Sequence, residues 1–369
     1  MTSDTRPVSE PARVAEPGEA ISYEELLLAT RNHGMPLEAL RHDITPVGLH
    51  YLLVHYDIPY VEPVGWRLAV GGRVARPLSL DLEALRARPR VSLTVTFECA
   101  GNGRARLAPR PVSQPWVDEA VGTAVWTGTP LAGLLREARP DDHAVEVLFT
   151  GADHGIERGE EQDYARSMSL QEAMRDEVLL AYEMNGAPLP PQHGFPLRLV
   201  VPGWYGMAQV KWLHEITLLE APYEGFQQLT AYRLKQRPEE TGDPVTRMRP
   251  RALVTPPGFP DFMSRTRFVD PGEHLLSGRA WSGNPPVTRV EVSTDDGRTW
   301  ADAELGPAPG RWAWRSWTYR WHADAPARYQ LRALAHDVTG AAQPVDQPWN
   351  RQGMANNTAQ RVTVVVRER

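Results

Sequence analysis

The chain of 369 residues contains a single cysteine, so no intrachain disulfide can form and the fold depends on packing. Lysine is nearly absent, with Lys211 and Lys235 the only two; a lysine kept against so arginine-rich a background is a candidate for a specific task. No apolar run is long enough to span a membrane. The start, Met1 to Ala20, is polar and rich in Pro, Glu and Ser, so neither a signal peptide nor a twin-arginine leader is expected in it. The expected compartment is the cytoplasm, or the periplasm if a leader has been removed. A net charge of -6 gives no whole-chain reason to expect nucleic acid or an anionic membrane as partner.

The length suggests two domains. Up to about Ile21 there is no apolar periodicity, and residues 1–25 are expected to form a disordered tail. From Ala221 to about Pro260 the chain turns to Pro, Glu, Gly and Arg without periodicity, which places a junction there. Residues 26–240 mix helix and strand patterns, including Leu80 to Arg88 as a helix and Val145 to Thr150 as a strand. Asn185-Gly186 after the strand Glu177 to Met184 is a strong hairpin signal. Residues 250–369 hold short strands at close spacing, among them His274 to Trp281, Thr288 to Ser293 and Tyr329 to His336. The expected class is α+β: a mixed α/β domain, then an all-β sandwich of immunoglobulin type lacking a disulfide.

The stretch Val91 to Arg104 carries the chemistry. Val91, Leu93, Val95, Phe97 and Cys99 fall on one side of a period-two alternation, as in a half-buried strand, so Cys99 is expected to point inward. Gly101 and Gly103 follow, allowing a sharp turn or close approach to a bound group, and Arg104 brings a positive charge near the thiol. Three readings of Cys99 stand side by side: a small buried apolar residue, a nucleophile with a distant histidine, and a thiolate bound to a soft metal. A second block runs from Pro191 to Trp212. In it Phe195, Leu197, Leu199 and Val201 alternate inward while Arg198 faces the other way, and His193, Arg198 and Lys211 lie close enough together in sequence to serve an anionic group.

Phe97-Glu98-Cys99-Ala100-Gly101-Asn102-Gly103-Arg104 resembles the signature of the sulfite oxidase family, in which the cysteine ligates the molybdenum of a molybdopterin cofactor. The Pro191 to Trp212 block and Trp349 to Asn357 resemble the same family, and the likeness covers roughly residues 30 to 369. It implies a molybdopterin-binding domain followed by a dimerisation domain, with Mo-molybdopterin as cofactor. It also implies Cys99 as metal ligand, and His55, Asp153, His193, Arg198, Gln209, Val210 and Lys211 as cofactor-binding residues. Arg104 and Tyr164 join Cys99 as catalytic residues, Tyr164 positioning an anion or relaying a proton. Arg31-Asn32-His33 imitates the family's cofactor-contact tripeptide, but His55 has the better spacing to Trp66 and the following strand.

Two pocket arginines of the family are replaced, by Leu53 and Gln352, with Arg166 and Arg351 as candidate substitutes. The resemblance implies oxidation of sulfite or a related small oxyanion, electrons passing to a separate acceptor such as a cytochrome c, and a homodimer. A reductase of nitrate or a sulfoxide is the alternative, suggested by Gly353-Met354-Ala355-Asn356-Asn357; a cofactor-storing protein without turnover is a third. One cysteine rules out a Cys-x-x-Cys-His haem attachment.

Overall fold

The computed structural model describes residues 13–157 and 159–368. Helix α1 (Tyr23–Arg31) is the first element among the described residues, started by a reciprocal capping box between Ser22 and Glu25. Ten strands follow in the first unit: β1 (Leu68–Gly72), β2 (Leu78–Leu80), β3 (Val91–Glu98), β4 (Val121–Pro130), β5 (Glu146–Glu157), β6 (Glu160–Ser169), β7 (Leu179–Met184), β8 (Ala187–Pro188), β9 (Arg198–Val200) and β10 (Leu213–Leu219). The helix expected over Leu80 to Arg88 is shorter, Leu82–Arg86, because the Asp81 side chain caps it by accepting from Ala84 N. Residues Leu131–Ala138 form a helix that buries Leu131, Leu134 and Leu135.

The strands make two sheets. One has the order β2-β1-β10-β5-β6; the other has β3-β4-β7-β8, with β9 also on β7. Only β1 and β10 are parallel in these two sheets; the remaining pairs are antiparallel. A core drawn from both, including Val70, Phe149, Leu180, Leu199 and Ile216, lies with the Leu131–Ala138 helix. Asn185 and Gly186 both take positive φ (52° and 81°) at the β7–β8 turn, as the hairpin signal predicts.

The C-terminal unit consists of two further sheets. A four-stranded one contains Arg251–Val254, Gly272–Trp281, Arg315–Ala323 and Glu304–Leu305; a six-stranded one is built on Arg328–Asp337, between Val287–Ser293 and Val362–Val366. Their shared core includes Leu276, Trp317, Trp321, Leu331 and Val364. A separate cluster, with Met35, Tyr205, Met248, Trp281, Trp314 and Met354, joins the two units.

Three expectations need correction. Residues 13–25, expected in a disordered tail, pack against the first unit: Val14 bridges to Pro111, and Arg110 holds the fully buried Glu25. That anchor is an ion pair, which apolar periodicity cannot reveal; residues 1–12 lie outside the described residues. Strand β3 is half-buried only at its start, since Thr96 and Glu98 on its polar side are buried too. The C-terminal unit covers that side, with Trp314 N donating to Thr96 Oγ1 and Trp281 Nε1 to Glu98 Oε2. The strand expected to stop at Thr150 runs on to Glu157 through a register shift between Thr150 and His154. Such a bulge re-aims a side chain, and it carries Asp153.

Candidate active site

Cys99 lies just beyond the end of β3, 7 % exposed, where two spaces meet. A narrow inner slot is lined by Asp153 from the β5 bulge, Tyr164 from β6, Arg198 at the start of β9, His193 and Lys211 from the flanking turns, and His50. A wider outer cleft of about 460 Å³ is lined by Arg104, Gln114, Trp116, Arg351, Gln352 and Met354, and by α1. Leu53, His55, Cys99 and Tyr232 line both, so the thiol stands at the threshold between them.

The inner slot is crowded with cations that have no carboxylate bonded to them. Arg198 is buried and donates only to carbonyls, His193 O at 2.9 Å and Gln209 O at 3.1 Å, while its guanidinium lies 4.5 Å from the Trp126 ring centre. Among the described residues its Nε has no partner, nor do His50 Nε2 and Asp153 Oδ1. Lys211 Nζ donates to Leu53 O at 2.8 Å and Gln192 O at 3.1 Å. Burial lowers Arg198 to about 10 and Lys211 to about 7, the latter helped by Arg198 and opposed by Asp153. Burial pushes Asp153 up to about 7, and holds His50 and His55 at about 4, so both imidazoles are neutral at pH 7. Two desolvated cations beside polar atoms that no protein group satisfies make a site suited to an anionic group.

His55 is held by Tyr232 OH at 2.8 Å from its Nε2 and by the Tyr164 ring, 4.6 Å centre to centre. Tyr164 donates its hydroxyl proton to Met207 O at 2.7 Å, and it opens on the inner slot rather than the outer cleft. Gln209 contributes its backbone oxygen, its side-chain amide being engaged with Val201 and Trp204. Val210 does not line the slot: its side chain is in the core and its carbonyl accepts from Leu199 N. Burial pushes the Cys99 thiol up, while Arg104 pulls it the other way.

Arg104 is 5 % exposed and bound by Gln352 O and Gln114 O, each at 3.1 Å, and by Met354 Sδ at 3.4 Å. Both neighbouring glycines leave room for it. A Cβ on Gly101 falls 2.6 Å from Arg104 Nη2, and one on Gly353 falls 2.6 Å from Arg104 Cγ. Of the two candidate substitutes for the missing arginines, Arg351 lines the outer cleft and Arg166 does not. Arg166 instead donates to Gln227 O and lies 5.4 Å from the centre of the Tyr232 ring, supporting that ring from behind. Arg31 donates to His55 O, and His33 pairs with Leu52 in a backbone bridge, so the imitating tripeptide borders the site without supplying its imidazole.

Sequence reasoning missed His50, Tyr51 and Tyr232. Tyr232 sits in the aperiodic segment read as a junction, and only tertiary contact brings it to His55. Among the described residues no group of three or more His, Cys, Asp or Glu side chains could hold a metal ion. A metal here therefore needs most of its ligands from elsewhere, with Cys99 as the protein's share.

Comparison with known proteins agrees with this division. A family model described as "Oxidoreductase molybdopterin binding domain" matches residues 55–227, and one described as "Mo-co oxidoreductase dimerisation domain" matches residues 248–367. Sulfite oxidase of Gallus gallus is 36% identical over 348 residues, covering 84% of this chain and 71% of that protein. The mitochondrial sulfite oxidase of Homo sapiens is 34% identical, with 88% of this chain and 62% of that protein covered. An NADH nitrate reductase of Brassica napus is 32% identical, but the chain spans only 39% of it. The crystal structure of the sulfane dehydrogenase SoxCD from Paracoccus pantotrophus superposes with a TM-score of 0.80 at 25% identity, covering 100% of this chain and 95% of that one.

Proposed function

The chain belongs to the sulfite oxidase family of molybdopterin-dependent oxidoreductases, and from that premise we propose that it oxidises a sulfur oxyanion, sulfite or a related small one, and passes the electrons to a separate acceptor. The observation that carries this reading is the place of Cys99, between a slot lined by buried cations and an open cleft.

The molybdopterin cofactor fits the slot on the chain's own chemistry. Arg198 and Lys211 offer buried charge to a phosphate, and the unpartnered His50 Nε2, Arg198 Nε and Asp153 Oδ1 offer hydrogen bonds to the pterin. Cys99 supplies the single protein sulfur for the metal. When bound, the group supplies two-electron oxygen-atom chemistry. The protein's tasks are to hold the substrate's sulfur at the threshold beside Cys99, with Arg104 as the buried cation facing it, and to keep His55 neutral against Tyr232. Tyr164, on the slot side, acts on the cofactor's environment or on a proton there.

We further read the two C-terminal sheets as an immunoglobulin-like sandwich that pairs two copies of the chain, supported by the match to a dimerisation domain. Nitrate reductases are relatives as well; of the residues that suggested that alternative, Met354 lines the cleft, whereas the two asparagines serve the scaffold. Asn356 Nδ2 donates to Gly103 O at 2.7 Å and Asn357 Nδ2 to Pro250 O at 2.8 Å, and neither lines the cleft.

The test is turnover of molybdenum-loaded protein with a panel of sulfur oxyanions and ferricyanide, beside viologen-driven reduction of nitrate and a sulfoxide. Oxidation of any of the sulfur oxyanions is expected, and Cys99→Ser should lose both turnover and bound molybdenum. Nitrate or sulfoxide reduction with no sulfur oxidation sinks the reading.

A further inference from the structure

The outer cleft is poorly suited to a small dianion. Four arginines (Arg13, Arg31, Arg104, Arg351) and three glutamates (Glu24, Glu25, Glu157) line it, so its formal balance is 4 − 3, a single positive charge. Leu53, which lines both spaces together with Cys99, presents an apolar side chain and offers a substrate oxygen no donor. Gln352 is 7 % exposed; its Nε2 donates to Thr230 O at 2.7 Å, and its Oε1 is a buried acceptor without a partner among the described residues. An acceptor repels a substrate oxygen and attracts an N–H or O–H. The volume of about 460 Å³, with Leu27, Leu28, Ile156 and Met354 in its walls, far exceeds what an ion of four atoms fills.

Resting on the reading above, we propose that the substrate of this site is an organic sulfinate, R–SO2⁻, whose R group carries an N–H or O–H donor, rather than free sulfite. A sulfinate has the sulfur lone pair that sulfite has, but one negative charge instead of two and an organic arm. Arg104 meets the charge, Leu53 and Met354 pack the arm, and Gln352 Oε1 accepts its donor. The reaction balances as R–SO2⁻ + H2O → R–SO3⁻ + 2 H⁺ + 2 e⁻. One S–O bond forms with oxygen that comes ultimately from water, and two equivalents of a one-electron acceptor take up the electrons.

The experiment uses the molybdenum-loaded full chain, ferricyanide as acceptor, and sulfite, methanesulfinate and 2-aminoethanesulfinate as substrates. The expected kcat/KM for 2-aminoethanesulfinate exceeds that for sulfite by about tenfold, the discrimination expected of one charge-assisted bond gained or lost. Leu53→Arg and Gln352→Arg should each move the ratio toward sulfite by about tenfold, and Gln352→Met should erase the advantage of 2-aminoethanesulfinate over methanesulfinate. A binding readout stands beside the kinetics: by calorimetry, 2-aminoethanesulfonate should bind more tightly than sulfate. A wild-type ratio at or below one, or tighter binding of sulfate, overturns the proposal. Sulfite turnover without sulfinate turnover removes this inference and leaves the proposed oxidation of sulfur oxyanions intact, whereas failure with every sulfur oxyanion removes both.

Discussion

Arg251 and Glu98 meet at 2.8 Å with both side chains 1 % exposed, and Glu98 is the residue immediately before Cys99. The same guanidinium reaches Asp118 at 2.8 Å and the backbone oxygen of Asn356 at 2.9 Å. The first strand of the C-terminal unit thus holds the end of the strand that presents the thiol.

Arg251→Met leaves two carboxylates buried without that cation. Breaking such a pair costs about 3–5 kcal/mol, read as a lower urea midpoint at unchanged slope. A loss under about 1 kcal/mol would show that Trp281, Asn102 and Arg106, which also bond these carboxylates, suffice by themselves.

Burial and the neighbouring Arg198 lower the Lys211 ammonium well below an ordinary lysine, to about 7, against the opposing pull of Asp153. An anion bound there favours the protonated amine, so affinity falls as pH rises above neutrality. Inorganic phosphate should therefore raise the melting temperature of cofactor-free protein at pH 6, by roughly 2 °C for a stabilisation of about 1 kcal/mol, and hardly at pH 8.5. Lys211→Met should abolish the shift. An equal shift at both pH values contradicts the assignment.

Gly101→Ala places a methyl group 2.6 Å from Arg104 Nη2 and 2.7 Å from its guanidinium carbon. The guanidinium has to leave its carbonyls, at a cost of about 1–3 kcal/mol, and KM for the preferred sulfur substrate should rise about tenfold, as for one weakened charge-assisted bond. An unchanged KM would mean that Arg104 does not contact substrate.

Arg110→Ala strips Glu25 of its partner while Glu25 is fully buried. The segment from Arg13 to Arg31 should open at a cost far below global unfolding, and limited proteolysis should cut it first. Cleavage elsewhere at the same rate, with this segment intact, would show that the capping box and the Val14 bridge hold it unaided.

By itself the chain text determined the local facts: the β3 strand and the thiol just beyond it, the Asn185-Gly186 hairpin, the division into a mixed and an all-β half, and the family through two blocks of short spacing. These are legible because period-two alternation, positive-φ turn residues and contiguous motifs depend on neighbours within a few residues. Tertiary structure alone decided that both faces of β3 are covered, that a bulge aims Asp153 into the slot, that Tyr232 from an aperiodic segment holds His55, and that Arg166 stands behind the site while Arg351 lines it. Apart from the bulge, which arises within the β5–β6 pairing, these depend on contacts between residues tens to hundreds of positions apart, such as Thr96 with Trp314 or His55 with Tyr232, and no periodicity encodes which distant side chain arrives.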